Sequence, residues 1–336
     1  MSHAEVIRAV VLRQFGPPHL LRVEDVPGPE PGAGEVLVDV TATSVVFVDT
    51  QVRAGRPPNP AMAPDLPVVL GNGVVGRVRA VGPEVDSELI GTRVAGTTGG
   101  SGGYAERGLV SVDDLMSIPE EVTAEDAAAL LADGRTALGL VRLAAPEAGE
   151  WVLVEAAGGG VGSLLVQLAH RAGARVIGAA STPEKRELAR MLGAEVVIDY
   201  TTQTWTEQVR HATAGHGVSV VFDGVGGQIG RTALGLVEDG GRFVVHGGAA
   251  GPMTTPSDDE QRRVAVLGLG GIATDPDGLR QLSREALASA AAGHLRPTVG
   301  QTFPLDGAAD AHAAIEARAT LGKTLLLPGP TPGRRP

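Results

Sequence analysis

The stretch Trp151-Val152-Leu153-Val154-Glu155-Ala156-Ala157-Gly158-Gly159-Gly160-Val161-Gly162 decides the fold. A buried strand runs into a glycine-rich turn, and an apolar helix carrying Leu164, Leu165 and Leu168 starts at once. Without Cβ atoms the backbone can turn sharply and come close to a pyrophosphate. The N–H groups and dipole of the new helix then face its negative charge. The first glycine of G-x-G-x-x-G falls on Ala157, so the simple pattern is imperfect, and a tight connection is the competing reading. Placement at the first strand of an α/β unit favours a cofactor site.

Downstream, strands and helices alternate: Arg175 to Ala179, Glu184 to Leu192, Val196 to Ile198, Thr204 to His211, Val218 to Asp223, Gln228 to Val237 and Arg242 to Val245. This spacing predicts a doubly wound parallel sheet of the Rossmann kind. A second glycine turn, Asp223-Gly224-Val225-Gly226-Gly227-Gln228-Ile229-Gly230, also joins a strand to a helix. Glu238-Asp239-Gly240-Gly241 ends that helix too early for a complete second nucleotide half, so the turn reads as a later strand end approaching the same cofactor. Helices at Leu279 to Ala292 and Ala308 to Ala319 and a strand at Lys323 to Leu327 close the chain.

Upstream, residues 1 to about 125 read as β-rich. Glu35 to Val40 and Gly76 to Val81 alternate apolar and polar side chains. The cluster Gly99-Gly100-Ser101-Gly102-Gly103 precedes strand-like Tyr104-Ala105-Glu106, so it lacks the helix that a phosphate loop needs. Thr123, with Asp126 three residues on, predicts a helix N-terminus there.

A chain of 336 residues fits two domains of roughly 100 to 200 residues each. Its formal charge of −11 argues against a nucleic-acid partner. The absence of cysteine excludes disulfides, thiolate nucleophiles and thiolate zinc sites. No run approaches the ~18 apolar residues of a membrane span. The segment from Met1 to Leu12 lacks a signal-peptide block, so the expected location is cytoplasmic.

The second strand separates the two nicotinamide cofactors. An NAD site places Asp or Glu at its end to bond the ribose 2′-hydroxyl. Here that end reads Gly178-Ala179-Ala180-Ser181-Thr182, and Lys185 and Arg186 follow. A small hydroxyl and a lysine suit a 2′-phosphate, which predicts NADPH. The competing reading of Lys185 is a solvated residue in a first helical turn.

Taken together, the motifs resemble a known family. Ala156 to Ser163 with Leu165-Val166-Gln167-Leu168-Ala169 is similar to the A-A-x-G-G-V-G-x-x-x-x-Q-L-A motif of NADPH:quinone oxidoreductases, zinc-free members of the medium-chain dehydrogenase/reductase superfamily. Phe47-Val48-Asp49-Thr50 resembles the family's N-terminal cofactor-facing loop, and Gly134-Arg135-Thr136-Ala137 its G-x-T-A turn. Leu192-Gly193-Ala194, Ile198-Asp199-Tyr200 and Arg318-Ala319-Thr320-Leu321-Gly322-Lys323 match further along.

The resemblance implies an α/β fold with a β-rich GroES-like domain at 1–125 and 272–336 and a Rossmann domain at 126–271. It implies that Ala157, Gly159, Gly160, Val161 and Gly162 hold the pyrophosphate, and that Ser181, Lys185 and Tyr200 hold the 2′-phosphate. Phe47, Val48, Thr136, His246, Gly247 and Gly248 would serve the nicotinamide end, and Arg318 would make an outer contact. It also implies a homodimer through the Rossmann sheets and a small-molecule substrate.

The departures bear on the substrate. Zinc-dependent relatives carry an early Cys and a G-H-E motif; here Gly71-Asn72-Gly73 stands at the second position, so no metal is expected. Where quinone oxidoreductases often have Asn, Tyr and an acid, this chain has Val46, Gln51 and Gly73. With Asn72 these are the substrate-pocket candidates, and the pocket reads as emptied of its usual polar groups. No catalytic residue is assigned. His246 could polarise a carbonyl, although the family uses backbone there, and Tyr104 reads as a fold aromatic. His211 and His216 read as solvent-facing. The expected activity is hydride transfer from NADPH to a quinone or an α,β-unsaturated carbonyl. The alternatives are a biosynthetic enoyl or ketone reductase, or an NADPH-binding structural or sensor protein with little turnover.

Overall fold

The computed structural model describes residues 5–273 and 275–329; the chain ends read above as part of the first domain, 1–4 and 330–336, lie outside them. Two compact units emerge, one from Met1–Ala132 with Thr298–Pro336, the other from Asp133–Pro297.

The first unit is β-rich. Strands β1 (Val6–Leu12), β2 (Leu21–Pro27) and β3 (Glu35–Val45) lead into a short helix α1 (Phe47–Arg53). Strands β4 (Val68–Val69), β5 (Val74–Val81), β6 (Arg93–Gly96), β7 (Arg107–Ser111) and β8 (Met116–Ser117) follow. The chain returns after the second unit as β15 (Val299–Pro304), α9 (Ala308–Glu316) and β16 (Lys323–Leu327). Among the described residues β1 joins β2 and β4 in a small sheet, and β15-β16-β3-β5-β6-β8 form a larger one, with β7 also paired to β3. The alternation in β5 is realised: Val74, Val75 and Val78 are buried while Arg77 and Arg79 face out.

Helix α2 (Ala124–Ala144) opens where the sequence places a cap, with Thr123 Oγ1 accepting the Asp126 N–H at 3.0 Å. It runs unbroken through Gly134-Arg135-Thr136-Ala137, so the expected turn is helical. Alanine-rich flanks have enough helix propensity to carry one glycine.

The second unit alternates β9 (Trp151–Glu155), α3 (Gly160–Arg171), β10 (Arg175–Ala179), α4 (Pro183–Met191), β11 (Val196–Ile198) and α5 (Trp205–Ala212). It continues with β12 (Val218–Asp223), α6 (Gly227–Leu234), β13 (Val237–Val245), α7 (Asp258–Arg263), β14 (Ala265–Gly268) and α8 (Pro276–Ala291). The strands form one parallel sheet in the order β11-β10-β9-β12-β13-β14. The order reverses at β9, the switch point at which open α/β sheets bind ligands. Strands β9 and β12 are buried along nearly their whole length, the signature of a sheet covered on both faces. Helix α8 falls in this unit, whereas the sequence reading closed the Rossmann domain at residue 271. Its Leu282, Ser283, Ala286 and Leu287 are buried, a face the linear pattern leaves without an assigned partner.

Candidate functional site

The glycine turn joins β9 to α3 at the switch point. Ala156 adopts φ +50°, a left-handed conformation that costs a non-glycine residue energy and brings the chain round abruptly. At Gly162 a Cβ would lie 2.2 Å from the Ala156 carbonyl oxygen, so only glycine permits this close crossing of helix and strand. Gly159 is the extended N-cap of α3, and Gly160 and Val161 form its first turn, where N–H groups lack intrahelical acceptors. Ala157, in the place of the first motif glycine, is fully buried beneath the turn. A phosphate cradle of this shape fits a dinucleotide.

Lys185 packs directly on that turn: a Cβ at Gly158 would come within 2.5 Å of the lysine's own Cβ. The lysine stands in the first turn of α4, capped by Thr182 and started by Pro183. Ser181 follows β10 and Tyr200 follows β11, and these strands are neighbours in register, Ala179 beside Ile198. The structure thus brings Ser181, Lys185 and Tyr200 to one edge of the sheet. Arg186 is engaged differently. Its Nη1 donates to Asp199 Oδ2 at 2.8 Å and weakly to the Ala180 carbonyl at 3.4 Å. Burial works against the Asp199 charge, but bonds from Thr201 and the Arg186 guanidinium win and hold its pKa below the usual value. The nearby carboxylate is therefore neutralised by a partner.

Two strand ends supply the other side of the switch point. Asp223, at the end of β12, organises the second glycine turn. Its Oδ1 accepts the N–H groups of Val225 (3.0 Å) and Gly226 (2.7 Å), and its Oδ2 accepts the Thr254 hydroxyl at 2.5 Å. His246 and Gly247 follow β13, their N–H groups donating to the Asp223 carbonyl at 2.9 and 3.2 Å. Gly248 comes next, where a Cβ would meet the Gly251 carbonyl oxygen at 2.6 Å. The His246 ring lies over Gly224, and its Nε2 is buried without a hydrogen-bond partner. Burial lowers its pKa to about 4, against the pull of Asp223.

The remaining expected cofactor contacts are on other elements. Thr136 is half-buried in α2. Phe47 and Val48 form the first turn of α1 in the first unit, where a loop was expected. Arg318 is exposed beyond α9 with φ +55°. Of the pocket candidates, Val46 precedes α1, and Gln51 Nε2 donates to Thr50 Oγ1 at 3.2 Å. Asn72 Oδ1 accepts the Gly100 N–H at 2.6 Å. Gly73 opens no volume: a Cβ there would lie 2.6 Å from Leu131 Cδ2. Leucine occupies the space beside this glycine.

Known proteins resemble this chain along most of its length. Family models match residues 160–284 (zinc-binding dehydrogenase) and 32–120 (alcohol dehydrogenase GroES-like domain). A quinone oxidoreductase of Pseudomonas aeruginosa is 37% identical over 320 residues, covering 94% of this chain and 97% of the relative. The chain belongs to the quinone oxidoreductase family of the medium-chain dehydrogenases/reductases. A 2-haloacrylate reductase of a Burkholderia species is 34% identical over 96% of this chain and 99% of its own. A mycobacterial structure complexed with NADPH superposes with a TM-score of 0.85 at 34% identity, covering 96% of this chain and 100% of that one.

One family-model description implies zinc, and the donor set here does not fit it. The chain lacks cysteine, and among the described residues no three His, Asp or Glu side chains group as metal ligands. Sequence reasoning missed Glu155, which lies fully buried at the end of β9. The signal was present: a carboxylate closing the apolar run Val152-Leu153-Val154 has no water to face.

Proposed function

We propose that this protein reduces a quinone or an activated α,β-unsaturated carbonyl with NADPH, without a metal. The observation that carries the cofactor choice is the packing of Lys185 on Gly158, beside a β10 end that bears no carboxylate. A cation fixed against the phosphate turn rewards a 2′-phosphate and gains nothing from a 2′-hydroxyl. Ser181 and Tyr200 complete that subsite, and Arg186 removes the charge of Asp199 beside it. Bound NADPH would supply the hydride.

The chain's own groups contribute orientation and exclusion of water. Gly159, Gly160, Val161 and Gly162 would hold the pyrophosphate. Thr136 and the His246-Gly247-Gly248 segment would orient the nicotinamide end. His246 is neutral near pH 7, so it can offer a hydrogen bond but holds no spare proton. Water is then the source of the proton that completes reduction. The 2-haloacrylate reductase relative supports polarised C=C bonds as acceptors alongside quinones.

A homodimer is part of this reading. Among the described residues strand β14 ends the parallel sheet, and its Val266 is 36% exposed, so this edge can pair with a second copy. Fluorescence titration with NADPH and NADH, followed by NADPH oxidation against a panel of quinones and enones, tests the proposal. Equal affinities for the two nucleotides overturn the cofactor choice. Tight NADPH binding with no acceptor reduced favours a binding protein.

A further inference from the structure

Tyr104 is fully buried and ties together segments far apart in sequence. Its N–H donates to the Leu70 carbonyl at 2.8 Å, and the preceding Gly103 N–H donates to the Gly71 carbonyl at 2.9 Å. Its ring lies on Gly71, where φ is +90° and a Cβ would reach within 2.4 Å of the ring. The tyrosine therefore backs the Gly71-Asn72-Gly73 turn.

Its hydroxyl points the other way, donating to Asp49 Oδ2 at 2.8 Å. The same oxygen accepts the Val46 N–H at 3.0 Å and closes the first turn of α1. Val46 has no side-chain acceptor to cap the helix, so Asp49 provides the only side-chain half of a capping box available there. The hydroxyl also lies 3.2 Å from His312 Nε2 on α9, with the two rings edge to face. A phenol has one proton, and Asp49 receives it, so Nε2–H of His312 is the donor to the phenol oxygen. One turn along both helices, buried Arg53 bonds Glu316. Asp49 and Arg53, like His312 and Glu316, are spaced i and i+4, so each pair shares a helix face. Helices α1 and α9 are clamped at two levels.

All four substrate-pocket candidates lie on the two segments that Tyr104 touches: Val46 and Gln51 at α1, Asn72 and Gly73 in the turn. We propose that Tyr104 is a positioning residue, whose hydroxyl between Asp49 and His312 sets α1 against the Gly71–Gly73 turn and so fixes the shape of the acceptor pocket that these two segments carry. This rests on reading those four residues as the acceptor pocket. The ring packs on the turn, and the hydroxyl registers the helix to it, so each segment depends on the link for its order. A misplacement of about 1 Å in such a support can cost on the order of a hundredfold in rate.

Tyr104→Phe keeps the ring and deletes the link. Hydrogen–deuterium exchange should quicken about tenfold in residues 47–53 and 70–73, with the parallel-sheet unit unchanged. At saturating NADPH, kcat/KM for the acceptor should fall about tenfold, mainly through KM, while the NADPH Kd stays within about twofold. His312→Ala should reproduce this, and His312→Gln, which keeps an N–H donor, should restore most of it. Unchanged exchange in the two segments overturns the proposal, as does a uniform rise across the chain or an unaltered KM. If the wild-type protein reduces no acceptor, the proposed activity falls, and the exchange pattern alone still decides the role of Tyr104.

Discussion

Glu155 and Asp223 meet side by side, fully buried, at the ends of the adjacent strands β9 and β12. Asp223 already accepts three hydrogen bonds, from Val225, Gly226 and Thr254, as an anion does. Two carboxylates cannot bond each other unless one carries a proton, and Glu155 is the one without other donors. Burial, then the Asp223 charge, pushes the Glu155 pKa well above its ordinary value.

The pH dependence follows from proton counting. Above pH 4.5 the unfolded chain releases the Glu155 proton while the native state keeps it. The native state then binds more protons, so stability falls as pH rises from 4.5 towards the folded pKa. Glu155→Gln keeps a donor towards Asp223 and has no proton to hold. Thermal unfolding should show a Tm gain of about 2–4 °C over wild type at pH 8 that vanishes by pH 4. The same difference at both pH values would refute a protonated Glu155.

Lys185→Ala should weaken NADPH binding by ~1.5–3 kcal/mol, the range for a charged hydrogen bond, and leave NADH unaffected. Nucleotide fluorescence titrations check this. Equal losses for the two nucleotides would mean that Lys185 shapes the turn and does not contact phosphate.

Arg186→Gln should also reduce NADPH affinity, by about tenfold, because it releases the Asp199 charge beside the same subsite. Adding Asp199→Asn to that variant should recover most of the loss. Failure of the second change to rescue the first would show that charge cancellation is not the role of the pair.

His246 has a pKa of about 4, so it stays neutral through the working range. The pH profile of kcat/KM should therefore show no ionisation from this residue between about pH 5 and 8. His246→Gln should keep kcat within about threefold of wild type. A profile whose limb near pH 6 disappears in the variant would make His246 an acid–base catalyst after all.

Val266→Lys places a charge on strand β14, a device that blocks strand pairing. Light scattering should report twice 34.2 kDa for wild type and a shift towards the single-chain mass for the variant. An unshifted mass would place any subunit contact elsewhere.

The parallel sheet, its glycine turn and the α2 cap were legible in the sequence because each depends on neighbours within a few residues. Periodicity, a helix start at Thr123 and the missing carboxylate at the end of β10 are local facts. The contents of the site were not local. Gly73 lies against Leu131, which its own sequence context does not show, and Phe47 to Thr50 reads as a loop by resemblance but forms the first turn of α1. Asp49 caps that helix, and the same oxygen accepts the hydroxyl of Tyr104, which also meets His312 on the returning α9. Glu155 reads as an ordinary acid until β12 sets Asp223 beside it, where desolvation and a like charge keep its proton on. Sequence thus determined the scaffold and the cofactor class. Tertiary packing decided which polar groups are charged and which spaces are open, because burial and charge both depend on partners that only folding brings together.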